Sequence, residues 1–82
     1  MGRIPSRPIR IRSWEGALKA LKADRQDFCL VFGVLKASHT FQLVGDKVQD
    51  WSMVDGSVRK YTRAQFESHY GEFMKNGQLF AE

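Results

Sequence analysis

From Pro8 the chain alternates. Ile9 and Ile11 fall on one side, Arg10 and Arg12 on the other, the period-2 signature of a half-buried strand. Pro8 has no amide hydrogen, which places this strand at a sheet edge. The period then lengthens: Trp14, Ala17, Leu18 and Leu21 recur at i, i+3, i+4 and i+7. This predicts a helix from Trp14 to about Ala23, capped by Ser13, with Lys19 and Lys22 turned to water. The polar cluster Asp24-Arg25-Gln26-Asp27 ends it in a loop.

Phe28 to Leu35 is an apolar run of eight residues, read as a central strand apolar on both faces. Phe28, Leu30, Phe32 and Val34 are expected toward the helices, with Cys29, Val31 and Leu35 on the other side. Lys36-Ala37-Ser38 is read as a turn, and His39 to Val44 as a second alternating strand. Gly45-Asp46-Lys47 is expected as a three-residue loop leading into a strand from Val48 to Val54. Pairing Val44 with Val48 in this way puts Phe41, Leu43, Trp51 and Met53 on one face. Thr40, Gln42, Asp50 and Ser52 then take the other, the sorting that a half-buried sheet requires. Asp55-Gly56 predicts a two-residue hairpin, with Ser57 to Tyr61 as the returning strand.

Thr62 opens a second helix. Thr62 and Gln65 have the spacing of a capping box, and Tyr61 and Phe66 that of a hydrophobic staple. Phe66, His69, Tyr70 and Phe73 form its buried stripe, and Asn76-Gly77 its stop. Leu79 and Phe80 remain as an apolar tail able to dock on the body. The expected fold is α+β: a small, mostly antiparallel sheet in the order β-α-β-β-β-β-α, with both helices on one face. Residues 1–7 are expected as a flexible basic arm and residues 8–82 as a single domain.

Charge sharpens this division. The net charge is +4, and Arg3, Arg7, Arg10 and Arg12 account for all of it, because the remaining nine basic and nine acidic side chains cancel. The chain is a neutral domain carrying a basic arm, not a basic domain. No apolar run approaches the roughly 20 residues of a membrane span, and the arginine-rich start does not read as a signal peptide. A single cysteine cannot form an internal disulfide, which points to a reducing, cytoplasmic setting.

Candidate chemistry is sparse. His39 and Asp50, eleven residues apart on successive strands, resemble the second half of papain-like and transglutaminase-like hydrolases, with Cys29 as the tempting nucleophile. The expected register separates His39 from Asp50; a two-residue Gly45-Asp46 turn puts them on one face, but scatters Trp51 and Met53 away from Phe41 and Leu43. Cys29 lies in a strand rather than at a helix N-terminus where a thiolate is stabilised. His39 is therefore expected as a rim or core residue, His69 as packed in the core, and Cys29 as a small buried hydrophobe. One Cys and two separated His are too few for a recognisable metal site, and no cofactor motif is present. The chain is not expected to be an enzyme.

Binding features are clearer. Arg10 and Arg12 in the arm, with Arg59 and Lys60 near the second helix, are positioned to steer association, and Trp51 and Tyr61 to anchor it. The apolar central strand leaves a second sheet face that needs a cover: the tail, a partner, or a second copy forming a homodimer. Two stretches, Arg7-Pro8-Ile9-Arg10-Ile11 with Trp14-Glu15-Gly16, and Gly45-Asp46 through Trp51, Gly56, Tyr61, Phe66 and Tyr70, resemble the opening and closing segments of short phage and prophage proteins. That group has no assigned chemistry. The resemblance implies a mobile-element accessory protein in a bacterial cytosol. The first expectation is thus a protein that modulates a host or defence complex by protein–protein contact. The alternative is a nucleic-acid-binding accessory protein using its arginines on phosphate, and the third is a papain-like hydrolase built on Cys29, His39 and Asp50.

Overall fold

The computed structural model describes residues 7–82; the start of the expected arm, including Arg3, lies outside them. Six strands and two helices follow in the order β1 (Ile9–Arg10), α1 (Trp14–Lys22), β2 (Asp27–Phe32), β3 (Leu35–Val44), β4 (Lys47–Ser52), β5 (Val58–Tyr61), α2 (Arg63–Lys75) and β6 (Leu79–Ala81). They form one sheet in the order β1-β6-β2-β3-β4-β5, with every neighbouring pair antiparallel. The α+β class is as expected.

Both helices form where their caps direct. The Ser13 hydroxyl accepts the Gly16 amide at 3.1 Å. Thr62 and Gln65 close the capping box reciprocally, at 3.3 and 2.9 Å. Trp14, Ala17, Ala20 and Leu21 of α1 and Phe66, Tyr70 and Met74 of α2 are buried against Phe28, Leu30, Phe41, Val48 and Leu79 of one sheet face. Phe28 stacks on Phe41 with centroids 4.3 Å apart, and Trp14 meets Phe66 edge-on at 5.4 Å. The 13 residues of α2 span about 20 Å, close to four strand spacings of about 4.8 Å. That length carries the chain from β5 at one edge back over the sheet to β6.

The expected strand boundaries change at three turns. The Phe28–Leu35 run is not one strand: it folds back at Gly33-Val34, so that Phe32 pairs with Leu35 and Lys36-Ala37-Ser38 lie within β3. Gly33 has φ +59°, the positive value that a two-residue hairpin needs at its first central position. Val34 sits fully exposed at the tip instead of facing the helices. The next turn obeys the same rule. Gly45 has φ +64°, and Val44 pairs with Lys47 across Gly45-Asp46 alone. The loop is therefore one residue shorter than expected, and every side chain of β4 takes the opposite face. At the third turn β4 ends at Ser52, and Met53–Gly56 make a four-residue loop closed by the Ser52 amide on the Ser57 carbonyl at 2.9 Å. Asp55-Gly56 is not a two-residue hairpin there, although Gly56 keeps a positive φ.

The tail becomes β6, inserted between β1 and β2. At the outer edge, β1 is reduced to Ile9–Arg10, with Ile11 buried and Ile9 exposed. No helix among the described residues is long and apolar enough to cross a membrane.

Candidate functional site

The register at Gly45-Asp46 brings together the two residues that the expected register kept apart. His39 pairs with Ser52 and Phe41 with Asp50, so His39 and Asp50 are diagonal neighbours on the helix-covered face. His39 Nδ1 lies 2.7 Å from Asp50 Oδ1, and the Tyr70 hydroxyl of α2 donates to Asp50 Oδ2. Asp50 is 5% exposed, and both its oxygens have partners, as a buried carboxylate requires. Burial is the main cause that pushes the Tyr70 hydroxyl far above the ordinary tyrosine range, reinforced by its hydrogen bond to Asp50 and that residue's charge. Tyr61 is raised as well, by burial first and then by Asp50, with Arg59 opposing.

A small cavity of about 180 Å³ opens beside this cluster, lined by His39, Asp50, Ser52, Arg59, Tyr61 and His69 among others. A neutral imidazole that donates Nδ1–H to a carboxylate keeps Nε2 as its acceptor. His39 thus has the orientation of a general base, but among the described residues no hydroxyl or thiol is hydrogen-bonded to it. Cys29 pairs with Ser38, one step out of phase with the Phe28–His39 pair, so its thiol lies on the opposite face. Neither Ser52 nor Ser57 is hydrogen-bonded to His39. The Cys29–His39–Asp50 arrangement does not form, although the His39–Asp50 half of it does.

Cys29 is buried beneath the tail. Its thiol donates to Glu82 at 3.5 Å, and Glu82 also pairs with Lys36. Burial raises the Cys29 pKa, with the hydrogen bond and charge of Glu82 adding to the rise, the reverse of what a reactive thiolate needs. Lys36 holds the Glu82 carboxyl below its ordinary value. Around them the second sheet face has a polar centre of Ser38, Thr40, Gln42 and Gln49, flanked by Val31 and Phe80 on one side and Trp51 and Val58 on the other.

The residues expected to bind a partner are dispersed. Arg10 lies over the Phe80 ring at 5.7 Å, and Arg12 lines a depression beside the end of α2. Both are at the β1 edge, whereas Arg59 and Lys60 are on β5 at the other. Tyr61 is buried on the helix-covered face, so it cannot anchor a partner. His69, expected in the core, is exposed and stacks on Tyr61 with centroids 5.2 Å apart.

Trp51, the other expected anchor, is at the surface. It is 51% exposed on the helix-free face, between Thr40 of β3 and Val58 of β5. Met53, Val54 and Val58 around it are 64%, 72% and 52% exposed. The two-residue turn at Gly45-Asp46, the alternative that joins His39 and Asp50, is the one that forms, whereas Tyr70 as the partner of Asp50 has no local signal in the sequence. Gly-X is the pair that a two-residue hairpin selects, and that turn alone sets the register. No group of three or more metal-ligating side chains occurs among the described residues. Compared with known protein families, curated proteins and solved structures, the chain matches none.

Proposed function

We propose that this protein is a non-enzymatic binding module that engages a protein partner through the helix-free face of its sheet, with Trp51 as the anchor. The observation that carries this reading is the grouping of Trp51 with Met53 and Val58, and Val54 in the adjoining turn. All four are more than half exposed, and Thr40, Gln42 and Gln49 border them on the same face. Singly exposed apolar residues are ordinary, but a contiguous group around a tryptophan has the composition of an interface centre. Lys60, on the same face as Val58, supplies a charge at the margin of the group, where it steers encounter more than it holds the complex.

Protein is favoured over nucleic acid because, among the described residues, Arg10 and Arg12 lie at one edge of the sheet and Arg59 and Lys60 at the other, not side by side as a phosphate backbone favours. The resemblance to short phage and prophage proteins directs the search for the partner to host and defence complexes of a bacterial cell. The test is affinity capture by the wild-type protein and by Trp51→Ala, with circular dichroism confirming that the variant is folded. A partner retained in stoichiometric amount by the wild type and lost at least tenfold by the variant supports the reading. Equal retention by both removes Trp51 as the anchor, and salt-sensitive binding of DNA or RNA unaffected by Trp51→Ala replaces this reading with the nucleic-acid one.

A further inference from the structure

The two edges of the sheet are protected unequally. At one, β1 is only Ile9–Arg10, preceded by Pro8, and a proline-flanked stub of this kind discourages strand addition. At the other, β5 runs for the four residues Val58–Tyr61 without a proline and has a partner on one side only, β4. In an edge strand, alternate backbone N–H and C=O groups point away from the sheet and are free for another chain.

Beside this edge is an open groove of about 730 Å³ between β5 and α2. Its walls are Arg59 and Tyr61 of the strand and Ala64, Gln65, Ser68 and His69 of the helix, with Lys60 at the rim. No lining residue is acidic. Among the described residues the ion pairs of Arg and Lys involve Arg63 and Lys36 alone, so Arg59 and Lys60 have no carboxylate in contact. A groove between an edge strand and a helix, with free backbone groups along one wall, is the geometry that captures an extended peptide by strand addition.

We infer that β5 accepts an extended segment of the partner in which acidic and apolar side chains alternate. In an added strand, one set of side chains faces the helix side, where Arg59 and His69 stand. The other set continues the helix-free face beside Val58 and Trp51. Acidic residues complement the first position and apolar residues the second. A second copy of this chain is a poor occupant, because pairing β5 with itself brings Arg59 and Lys60 of both chains together, and like charges across a strand pair are destabilising. The inference rests on the binding reading above and specifies its partner.

The test uses the whole protein and three fluorescein-labelled peptides: one alternating Glu and Val, one alternating Lys and Val, and one alternating Glu and Val but interrupted by prolines. Fluorescence anisotropy should show saturable binding of the first, at least tenfold weaker binding of the other two, and a loss of affinity as salt is raised. Arg59→Gln should weaken the Glu–Val peptide several-fold, and Lys60→Glu should do the same should the first variant fold poorly. Hydrogen exchange should slow at the backbone amides of Val58–Tyr61 on binding. The inference is overturned by absence of binding, by equal binding of the Lys–Val or proline-interrupted peptide, or by protection confined to Trp51 and Met53. It is also overturned by concentration-dependent dimerisation through β5. Failure of the two readings is distinguishable: loss of the captured partner in Trp51→Ala with no Glu–Val binding discards the strand-addition inference alone. Glu–Val binding at β5 with partner capture unaffected by Trp51→Ala discards the Trp51 anchor.

Discussion

The two faces of β4 reverse what their composition suggests. Toward the helices the strand presents Val48, Asp50 and Ser52, all buried. Toward the helix-free side it presents Lys47, Gln49 and Trp51, the tryptophan half exposed. The largest apolar side chain of the strand is outside and its only carboxylate is inside. The inward face is tolerable because Asp50 is fully partnered by His39 and Tyr70. The outward face is tolerable because half-exposed Trp51 keeps polar Lys47 and Gln49 beside it on the strand, and its apolar neighbours Val58 and Met53 form a patch small enough to remain in water. The contrast shows that burial follows register, and that register here follows the turn.

The inward face should be the more sensitive. Phe41→Ala, at a fully buried position stacked on Phe28, is expected to cost about 3–5 kcal/mol. That is about half the stability expected of a domain this size, at roughly 0.1 kcal/mol per residue, so denaturant titration should find a midpoint lowered to about half the wild-type value. Asp50→Ala comes next, at about 3 kcal/mol, because it leaves the Tyr70 hydroxyl and the His39 ring without their partner. Tyr70→Phe removes one hydrogen bond to a charged acceptor and should cost about 1.5–3 kcal/mol. An Asp50→Ala loss no larger than that of Tyr70→Phe would mean that His39 contributes nothing to the cluster. At the outward face, Trp51→Ala is expected to change stability by less than about 0.5 kcal/mol while abolishing partner capture. That separation of stability from binding is the strongest check of the comparison.

A pH titration sharpens it further. Tyr70 and Tyr61 both have raised values in the folded chain, so the folded state holds their protons more tightly than the unfolded state does. Their contribution is complete below the ordinary tyrosine value of about 10 and is lost as pH rises beyond it. Stability should therefore fall from about pH 10 upward, and Tyr70→Phe should flatten that fall. Glu82 has the opposite sign: its lowered value gives a contribution present at neutral pH and lost as pH falls through the folded value. It is small because the Lys36–Glu82 pair is solvent-exposed and screened.

The helices were legible because each announces its own boundary. Ser13, the Thr62–Gln65 pair and Gly77 act within a few residues of themselves, so reading them needs no knowledge of the rest of the fold. The helical stripes were legible in part: Trp14, Ala17, Leu21, Phe66 and Tyr70 are buried as expected, Leu18 and Phe73 only partly so, Ala20 and Met74 join them, and His69 stacks over Tyr61 at the surface. The sheet was harder. Phe28–Leu35 is uniformly apolar, and nothing in apolarity distinguishes one long strand from two strands folded back at Gly33. At Gly45 the apolar sorting of Trp51 and Met53 competed with turn chemistry, and turn chemistry decided. The Asp50 cluster was only half legible for the same reason: its three members are assembled by that one-residue choice and by the path of α2 across the sheet.

The insertion of β6 between β1 and β2 has a consequence for the order in which the molecule assembles. The strands β2 to β5 are joined by tight turns and can zip together from local encounters. In the sheet, β1 pairs only with β6, from which nearly the whole chain separates it. Closing so long a loop is entropically demanding and slow relative to hairpin formation. The β1 segment is thus the last to find its place, waiting until residues 79–81 are available to pair with it.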